Sequence, residues 1–452
     1  MSEKLKGYKA EGKKLLEKNK VEIWDIVQIR TTKTNYEGII LPRSEYSAPN
    51  FINLKLKNNY NVGIKVSEIQ EIKKVGKREA SYKIPEKKFP KNKNLPNVTL
   101  LGTGGTVASR LDYTTGAVIP SFTPGELFSS VPELAEICNL ECEMVFEILS
   151  ENMKYEYWQK LAEKIEEAAN SGIEGIMIGH GTDTMSFTSA ALSFMLKDLS
   201  IPVVLVGSQR SSDRPSSDAA LNLINAAIVA GSDIAEVVVS MLGSTSHDYG
   251  LIHRGTTVRK MHSSVRDTFR TIDNIPLGMI RNREIKMFTQ DYKRRSKANT
   301  VANTNFEKKV ALIYSYPEID NELIDFYVDK GYKGIVFAGT GLGHLPTTLY
   351  NSIERAVQEG MTILMTTQTI HGFVGMQVYS TGRILLNLGV IPGRNLLPEV
   401  GYVKLGWVLG QTSDPEEIKK LLHQNIAGEF IDRELPIAFN YNIDQLLKNN
   451  KL

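Results

Sequence analysis

Cysteine is almost missing: Cys138 and Cys142 are the two in 452 residues. That excludes a disulfide framework, and with no further thiol nearby it excludes a four-cysteine zinc site. The pair reads as two small apolar core residues rather than a regulatory thiol couple. No run of about 18 uncharged apolar residues occurs, so no membrane helix is expected. The opening Met1-Ser-Glu-Lys-Leu-Lys-Gly7 has no apolar core of the kind a secretory leader needs, and the cytoplasm is the expected compartment. The seven histidines include no H-E-x-x-H and no paired-ligand spacing, so no metal site is expected. A phosphate loop of the G-x-x-x-x-G-K type is lacking, and Gly339-Thr-Gly-Leu-Gly343 is a fragment of G-x-G-x-x-G. Nucleotide binding is therefore not expected either.

What is present is ordinary globular composition, 42% apolar and 23% charged, in a chain long enough for about three domains. The net charge of +3 hides an asymmetry. Residues 1–100 hold 22 Lys and Arg against 11 Asp and Glu, a net +11, and the remainder carries −8. A basic front end suits an anionic partner such as nucleic acid, and it equally suits a solvated surface or a protein partner.

The texture changes twice along the chain. Val21-Glu-Ile-Trp-Asp-Ile-Val-Gln-Ile29, Tyr36 to Pro42, Ile52 to Lys57 and Tyr60 to Val66 alternate apolar and polar residues. This period of two predicts a small antiparallel barrel or sandwich, with Asn58-Asn59 as a hairpin turn. Residues 1–72 are expected to form a helix and a β-barrel module, and 73–95, rich in Lys, Pro and Asn, a basic linker. After Pro96 short apolar runs alternate with amphipathic helices, the pattern of a parallel α/β sheet. Val98–Leu101, Gly175–Ile178, Val203–Val206 and Val237–Leu242 are the predicted strands of a first unit over 96–290, with helices over Tyr155–Asn170 and Asp218–Ala230. A joint at 291–309 leads to a second α/β unit over 310–440, with strands at Val310, Gly334 and Thr362 and helices near Glu399–Leu409 and Glu416–His423.

In open parallel sheets, ligands sit beyond the carboxyl ends of the strands. Those positions are rich in hydroxyls here: Gly102-Thr-Gly-Gly-Thr106, Gly179-His-Gly-Thr-Asp-Thr184 and Gly207-Ser-Gln-Arg210. Glycine lets the backbone approach a ligand, and threonine offers a nucleophilic hydroxyl. One such loop alone is as well explained by a structural turn or an anion nest. Two together favour a reactive site.

Thr103-Gly-Gly-Thr-Val-Ala108, Tyr113-Thr-Thr-Gly116, His180-Gly-Thr-Asp-Thr184 and Thr256-Thr-Val-Arg-Lys260 resemble the bacterial-type L-asparaginases in order and spacing, over roughly residues 96–425. Tyr36 to Pro42, Lys55 to Ile64 and Ser150-Glu-Asn-Met153 resemble the D subunits of archaeal glutamyl-tRNA(Gln) amidotransferases. The implied fold is α/β, a two-domain asparaginase-like parallel-sheet body behind a small antiparallel β-barrel.

The resemblance also implies roles. Thr103 becomes the nucleophile of an acyl-enzyme, with Tyr113 bonded to it from a loop. Thr182, Asp183 and Lys260 form a second group, in which the lysine polarises the Thr182 hydroxyl near the scissile amide. Lys260 can act as a base only if it reaches the reaction uncharged. Asp183 would hold the lysine and face the substrate amine. Ser150 is the implied carboxylate binder, with Gly181 and Glu151 as further substrate contacts. Glu151 stands where asparaginases usually carry Gln, and suits an α-ammonium. Leu342 stands where many asparaginases place an Asn that reaches the neighbouring subunit. Tyr113 as loop packing and Lys260 as a surface cation are the plainer readings, while Thr106 reads as a turn residue and His180 as a packed one.

The implied activity is glutamine hydrolysis that supplies ammonia to the amidotransferase E subunit, which activates and amidates glutamate misacylated on tRNA(Gln). A homodimer within a heterotetramer is implied, with no cofactor in this chain and ATP and Mg on the partner. Two alternatives stand beside it. A stand-alone cytoplasmic L-asparaginase accounts for the body but not the front module. A non-catalytic RNA-binding scaffold accounts for the basic front, against the intact Thr103, Thr182, Asp183 and Lys260 set.

Overall fold

The computed structural model describes residues 5, 7–43, 47–57, 61–77, 91–104, 109–111, 118–120, 131–211 and 216–449. Among them, the front module is the helix Ala10–Lys18 followed by five antiparallel strands in the spatial order Asn61–Lys65, Phe51–Leu56, Asn35–Ile40, Asp25–Thr31, Ile69–Lys77. The two edge strands are consecutive in the chain, joined by the single turn Val66–Glu68. In a flat sheet these edges would lie about 19 Å apart, four strand spacings. The four residue steps from Lys65 to Ile69 span at most about 14 Å. The sheet therefore has to curl, and register shifts at Ile26/Val27 and Arg30/Thr31 supply the bends. Val27, Ile29, Ile40, Ile52 and Leu54 point inward with Leu16 of the helix. The expected hairpin pairs Phe51–Leu56 with Asn61–Lys65, while its turn, 58–60, lies outside the described residues.

The linker expected from residue 73 begins later, because the strand Ile69–Lys77 continues through it. That strand buries Ile72 and exposes most of its other residues, so its lysines read as linker although their backbone pairs with Asp25–Arg30. Lys74 closes on the fully buried Asp25 at 2.8 Å. Lys77 pairs with Glu22, Arg30 with Glu71, Lys33 with Glu68 and Lys57 with Glu37.

The body's first sheet has eight strands among the described residues, in the order Glu284–Met287, Gly278–Arg281, Gly250–Arg254, Val237–Leu242, Val203–Val206, Gly175–Gly179, Asn97–Gly102, Asn139–Met144. The five from Val237–Leu242 to Asn139–Met144 run parallel; four fall on the predicted runs, and the fifth, Asn139–Met144, is a largely exposed edge strand of alternating polarity that the apolar runs did not announce. Three antiparallel strands then extend one edge, from a region where short glycine-broken segments gave no strand pattern. The chain passes from Asn97–Gly102 first to Asn139–Met144 on one side and then to Gly175–Gly179 on the other. Between Asn97–Gly102 and Gly175–Gly179 the strand order therefore reverses, which opens a crevice at their carboxyl ends.

The second unit stacks Val310–Tyr314, Gly334–Gly339, Thr362–Thr367 and Ile391–Pro392 in parallel. The helix Pro398–Gln411 covers this sheet and packs on Met185–Met195 of the first unit, with Phe194 stacked on Trp407. Inside this helix Lys404 is wholly buried, its Nζ donating to Glu429 Oε1 at 2.7 Å and to the Leu422 and Gln424 carbonyls. Residues 291–309 are packed rather than loose: Val301–Ala302 pairs with Leu196–Lys197, and the Asn303 carbonyl accepts from Trp407 Nε1. Beyond 440 the helix Ile443–Asn449 brings Leu446 back onto Leu251, Met279 and Phe288 of the first unit. Cys138 is buried and Cys142 half-buried, and burial pushes both thiols up to about 12.

Candidate functional site

The crevice at the strand reversal collects the hydroxyl-rich loops. Thr103 is the first residue beyond Asn97–Gly102 and is 2% exposed. Its N–H and its Oγ1 both donate to the Gly179 carbonyl on the neighbouring strand, at 3.1 and 2.8 Å. The hydroxyl is thus held in place against the neighbouring strand. Its own carbonyl accepts from Ile148 N–H. Gly104 follows with φ +99, where a Cβ would sit 2.3 Å from the Ile148 oxygen, so only glycine fits this turn.

Three residues beyond Gly179 the chain reaches Thr182, 8% exposed, at the start of the helix Met185–Met195. Lys260 arrives from the short hairpin of Val258–Lys260 with Phe269–Thr271. Its Nζ donates to Thr182 Oγ1 at 2.9 Å and to Asp183 Oδ1 at 2.7 Å. The Lys260 side chain is 12% exposed and that of Asp183 67%, so one partner faces the protein and the other faces the opening. Next to it Arg259 Nη1 donates to Glu399 Oε2 at 2.6 Å, pinning the hairpin to the first turn of Pro398–Gln411. Burial lifts the Glu399 carboxyl above its usual range, and the Arg259 cation opposes that lift.

Ser150, 5% exposed, starts the single turn Ser150–Asn152. Thr184 Oγ1 donates to the Ser150 carbonyl at 2.8 Å, clamping this turn to the entrance of Met185–Met195. A Cβ on Gly181 would lie 2.6 Å from Ser150 Cβ and 2.8 Å from its Oγ. Gly181→Ala is therefore expected to push the Ser150 turn outward and lower kcat/KM at least about tenfold. Steady-state kinetics on a variant that still melts cooperatively would check this, and wild-type kinetics would contradict it. Glu151 is exposed at the same turn, and Leu342 is 36% exposed at the tip of a turn in the second unit. Tyr113 and Thr106 lie outside the described residues.

The sequence pattern did not reveal how the site is braced. His180 is fully buried at the start of the Gly179–Thr184 loop. Its Nδ1 lies 2.6 Å from the Gly181 carbonyl and its Nε2 2.9 Å from Thr188 Oγ1, which in turn accepts from Trp158 Nε1 at 3.0 Å. A carbonyl can only accept, so this assigns the proton to Nδ1 and sets one directed chain, Trp158 to Thr188 to His180 to Gly181. Asp218 does similar work for the Gly207–Arg210 loop: its carboxylate accepts from the Gln209 and Arg210 N–H groups and from Asn222 Nδ2. Gly207 then passes so close to Thr182 that a Cβ would be 2.8 Å from its Cγ2.

Burial holds the His180 imidazole down to about 4, and that of His253, in the strand Gly250–Arg254, down to about 3. Both fall below the unfolded value of about 6.5, so both rings stay neutral in the fold while the unfolded chain protonates below that pH. Each contribution is intact above pH 6.5 and is lost as pH falls toward the folded values, roughly 2 kcal/mol per histidine by pH 5. The buried carboxyl of Glu399 acts in the opposite sense. The check is therefore NMR titration of the two imidazoles alongside melting at pH 7 and 5. Either ring protonating near 6.5 in the folded protein would contradict the expectation.

The chain's likenesses follow this geometry. Its residues 97–293 match the family model for the asparaginase N-terminal domain, 309–422 that for the glutaminase/asparaginase C-terminal domain, and 21–75 that for the GatD N-terminal domain. The D subunit of the glutamyl-tRNA(Gln) amidotransferase of Pyrococcus furiosus is 51% identical over 430 residues, covering 94% of this chain and 98% of that protein. Its counterpart in Methanopyrus kandleri is 48% identical over 435 residues, 94% of this chain and 95% of that one. Among solved structures, the thermostable L-asparaginase from Thermococcus kodakarensis superposes with a TM-score of 0.66 at 30% identity, covering 74% of this chain and 99% of that one.

Proposed function

The chain belongs to the family of glutamyl-tRNA(Gln) amidotransferase D subunits, and from that premise we propose that Thr103, Thr182, Asp183 and Lys260 hydrolyse glutamine to supply ammonia for amidation of Glu-tRNA(Gln). The observation that carries this reading is the contact of Lys260 with both Thr182 and Asp183 beside Thr103, at the reversal point of the sheet.

In this reading the Thr103 oxygen attacks the side-chain carboxamide carbon of glutamine and loses its proton to a neighbouring base. The tetrahedral intermediate collapses with cleavage of the C–N bond, and the nitrogen leaves as ammonia after taking up a proton. Water then attacks the Thr103 ester, releasing glutamate and restoring the hydroxyl. Lys260 and Thr182 serve the proton transfers, and Asp183 fixes the lysine while facing the substrate amine. Ser150 and Gly181 seat the α-carboxylate, Glu151 meets the α-ammonium, and Tyr113 completes the nucleophile's surroundings. Ammonia passes to a kinase and transamidase partner of the E-subunit type, which works on misacylated Glu-tRNA(Gln) with ATP and Mg. The assembly is a cytoplasmic heterotetramer built on a dimer of this chain, with no cofactor in the chain itself.

The test is a glutaminase assay of the purified chain, alone and with the partner subunit and misacylated tRNA. Low activity alone and strong stimulation in the complex is the expected result. Rapid asparagine hydrolysis by the chain alone, unchanged by partner or tRNA, would overturn it in favour of a stand-alone asparaginase.

A further inference from the structure

A second cavity lies away from the reactive threonines, where the end of Phe269–Thr271 meets the second unit and the C-terminal tail. Asp273, His371, Gly372, Glu434 and Phe439 line it, around about 240 Å³. Asp273 is 5% exposed. Its Oδ1 accepts from Gly372 N–H at 3.0 Å and lies 3.3 Å from His371 Nδ1, at ion-pair distance but without hydrogen-bond geometry. Asp273 Oδ2 and His371 Nδ1 are both buried without a hydrogen-bond partner. Buried polar atoms in proteins are almost always satisfied, so the unbonded Asp273 carboxylate oxygen, in a residue that lines this cavity, calls for a partner. Burial lifts the Asp273 carboxyl above its usual range, against the pull of Gly372 N–H and His371, and Glu434 adds to the lift.

Glu434 brings a second carboxylate to the same opening, for a Cβ on Gly372 would sit 3.4 Å from its Oε1. Phe439 meets His371 in a T-shaped contact at 5.0 Å and is nonetheless 76% exposed. Two carboxylates, one with an unbonded buried oxygen, and an open aromatic ring describe a receptor for a cation. Among the described residues no group of three His, Cys, Asp or Glu is placed to hold a metal ion, and the open aromatic face of Phe439 favours an organic cation. A guanidinium has the matching shape: its planar fork of N–H donors suits carboxylates, and its face stacks on aromatic rings.

We propose that this cavity binds a guanidinium group between Asp273 and Glu434, with its plane against Phe439. The site is distinct from the amidase centre. Thr271 pairs with Val258 across the hairpin, so Asp273 lies beyond the end opposite Lys260. Nothing in the assignment depends on glutamine hydrolysis.

Calorimetric titration of the full chain with methylguanidinium, and with methylurea as its uncharged counterpart, tests this. Saturable methylguanidinium binding at least tenfold tighter than that of methylurea is expected, and at least tenfold weaker in Asp273→Asn and in Glu434→Gln. Glu434 is exposed, so its variant keeps the test valid should the Asp273 variant misfold. No saturable binding, equal binding of methylurea, or unchanged affinity in Glu434→Gln overturns the proposal. Free L-arginine compared with N-acetylarginine N-methylamide identifies the source of the group. A preference for the first assigns a metabolite and for the second a side chain of another protein, both in support, and binding of neither counts against the site.

Discussion

Replacing Thr103 by alanine is expected to abolish glutamine-dependent amidation by the assembled complex, by roughly 10⁴-fold or more, while amidation driven by added ammonium persists. The magnitude follows from the role: without the hydroxyl no ester forms, and what remains is the binding and polarisation that the rest of the site supplies. The split between the two nitrogen sources separates a chemical loss from a structural one. Thr103→Ala removes one hydrogen bond, Oγ1 to the Gly179 carbonyl, at a net cost of about 1 kcal/mol, and the backbone bond to the same carbonyl survives. The complex should therefore assemble and melt almost as the parent does. Glutamine-dependent amidation that survives in Thr103→Ala would remove this residue from the nucleophile's role.

Lys260→Met is expected to lower kcat by roughly 10²- to 10⁴-fold, again with ammonium-dependent amidation spared. The stability change should be small, within about 1 kcal/mol, because the ion pair it breaks has an exposed carboxylate that water can solvate. Lys260→Arg is the sharper test. Arginine retains the positive charge beside Asp183 but cannot give up its proton, and its planar fork does not reproduce an ammonium between Thr182 and Asp183. Failure of arginine to restore turnover supports proton transfer through Lys260. Near-complete rescue would leave the residue a purely electrostatic role.

How far these elements could be read beforehand depended on how each is buried. Val203–Val206 is a continuous apolar run because both faces of a parallel strand are covered, Val98–Leu101 is broken only by the half-buried Thr99, and the structure places strands on both. Met185–Met195 left no trace for the opposite reason. Nearly every position is buried, so no stripe of one polarity repeats. Ser189 Oγ bonds to the Gly255 carbonyl and so sits in the core without looking apolar, and the half-buried Ser193 Oγ bonds to the Ser189 carbonyl. This is the helix whose entrance holds Thr182 and Asp183. The two threonine loops were visible as loops. Lys260 came from family likeness, since its hairpin is three residues per strand and nothing local distinguishes it from its basic neighbours. The chain from Trp158 through Thr188 to His180 joins residues up to 30 positions apart, and no local pattern encodes such a contact.

The carboxylates threaded through the front module change what its excess of lysine and arginine can do. Lys74, Lys77, Arg30, Lys33 and Lys57 already face Asp25, Glu22, Glu71, Glu68 and Glu37. A nucleic acid gains much of its affinity for a basic surface by releasing the salt ions condensed on its phosphates. Where the cation is already neutralised from within, a phosphate must first displace a built-in anion. Those five positions would contribute little to the dependence of binding on ionic strength. The gross count of 22 Lys and Arg in residues 1–100 therefore overstates the segment's free cations, whereas the net +11, which already subtracts these carboxylates, does not.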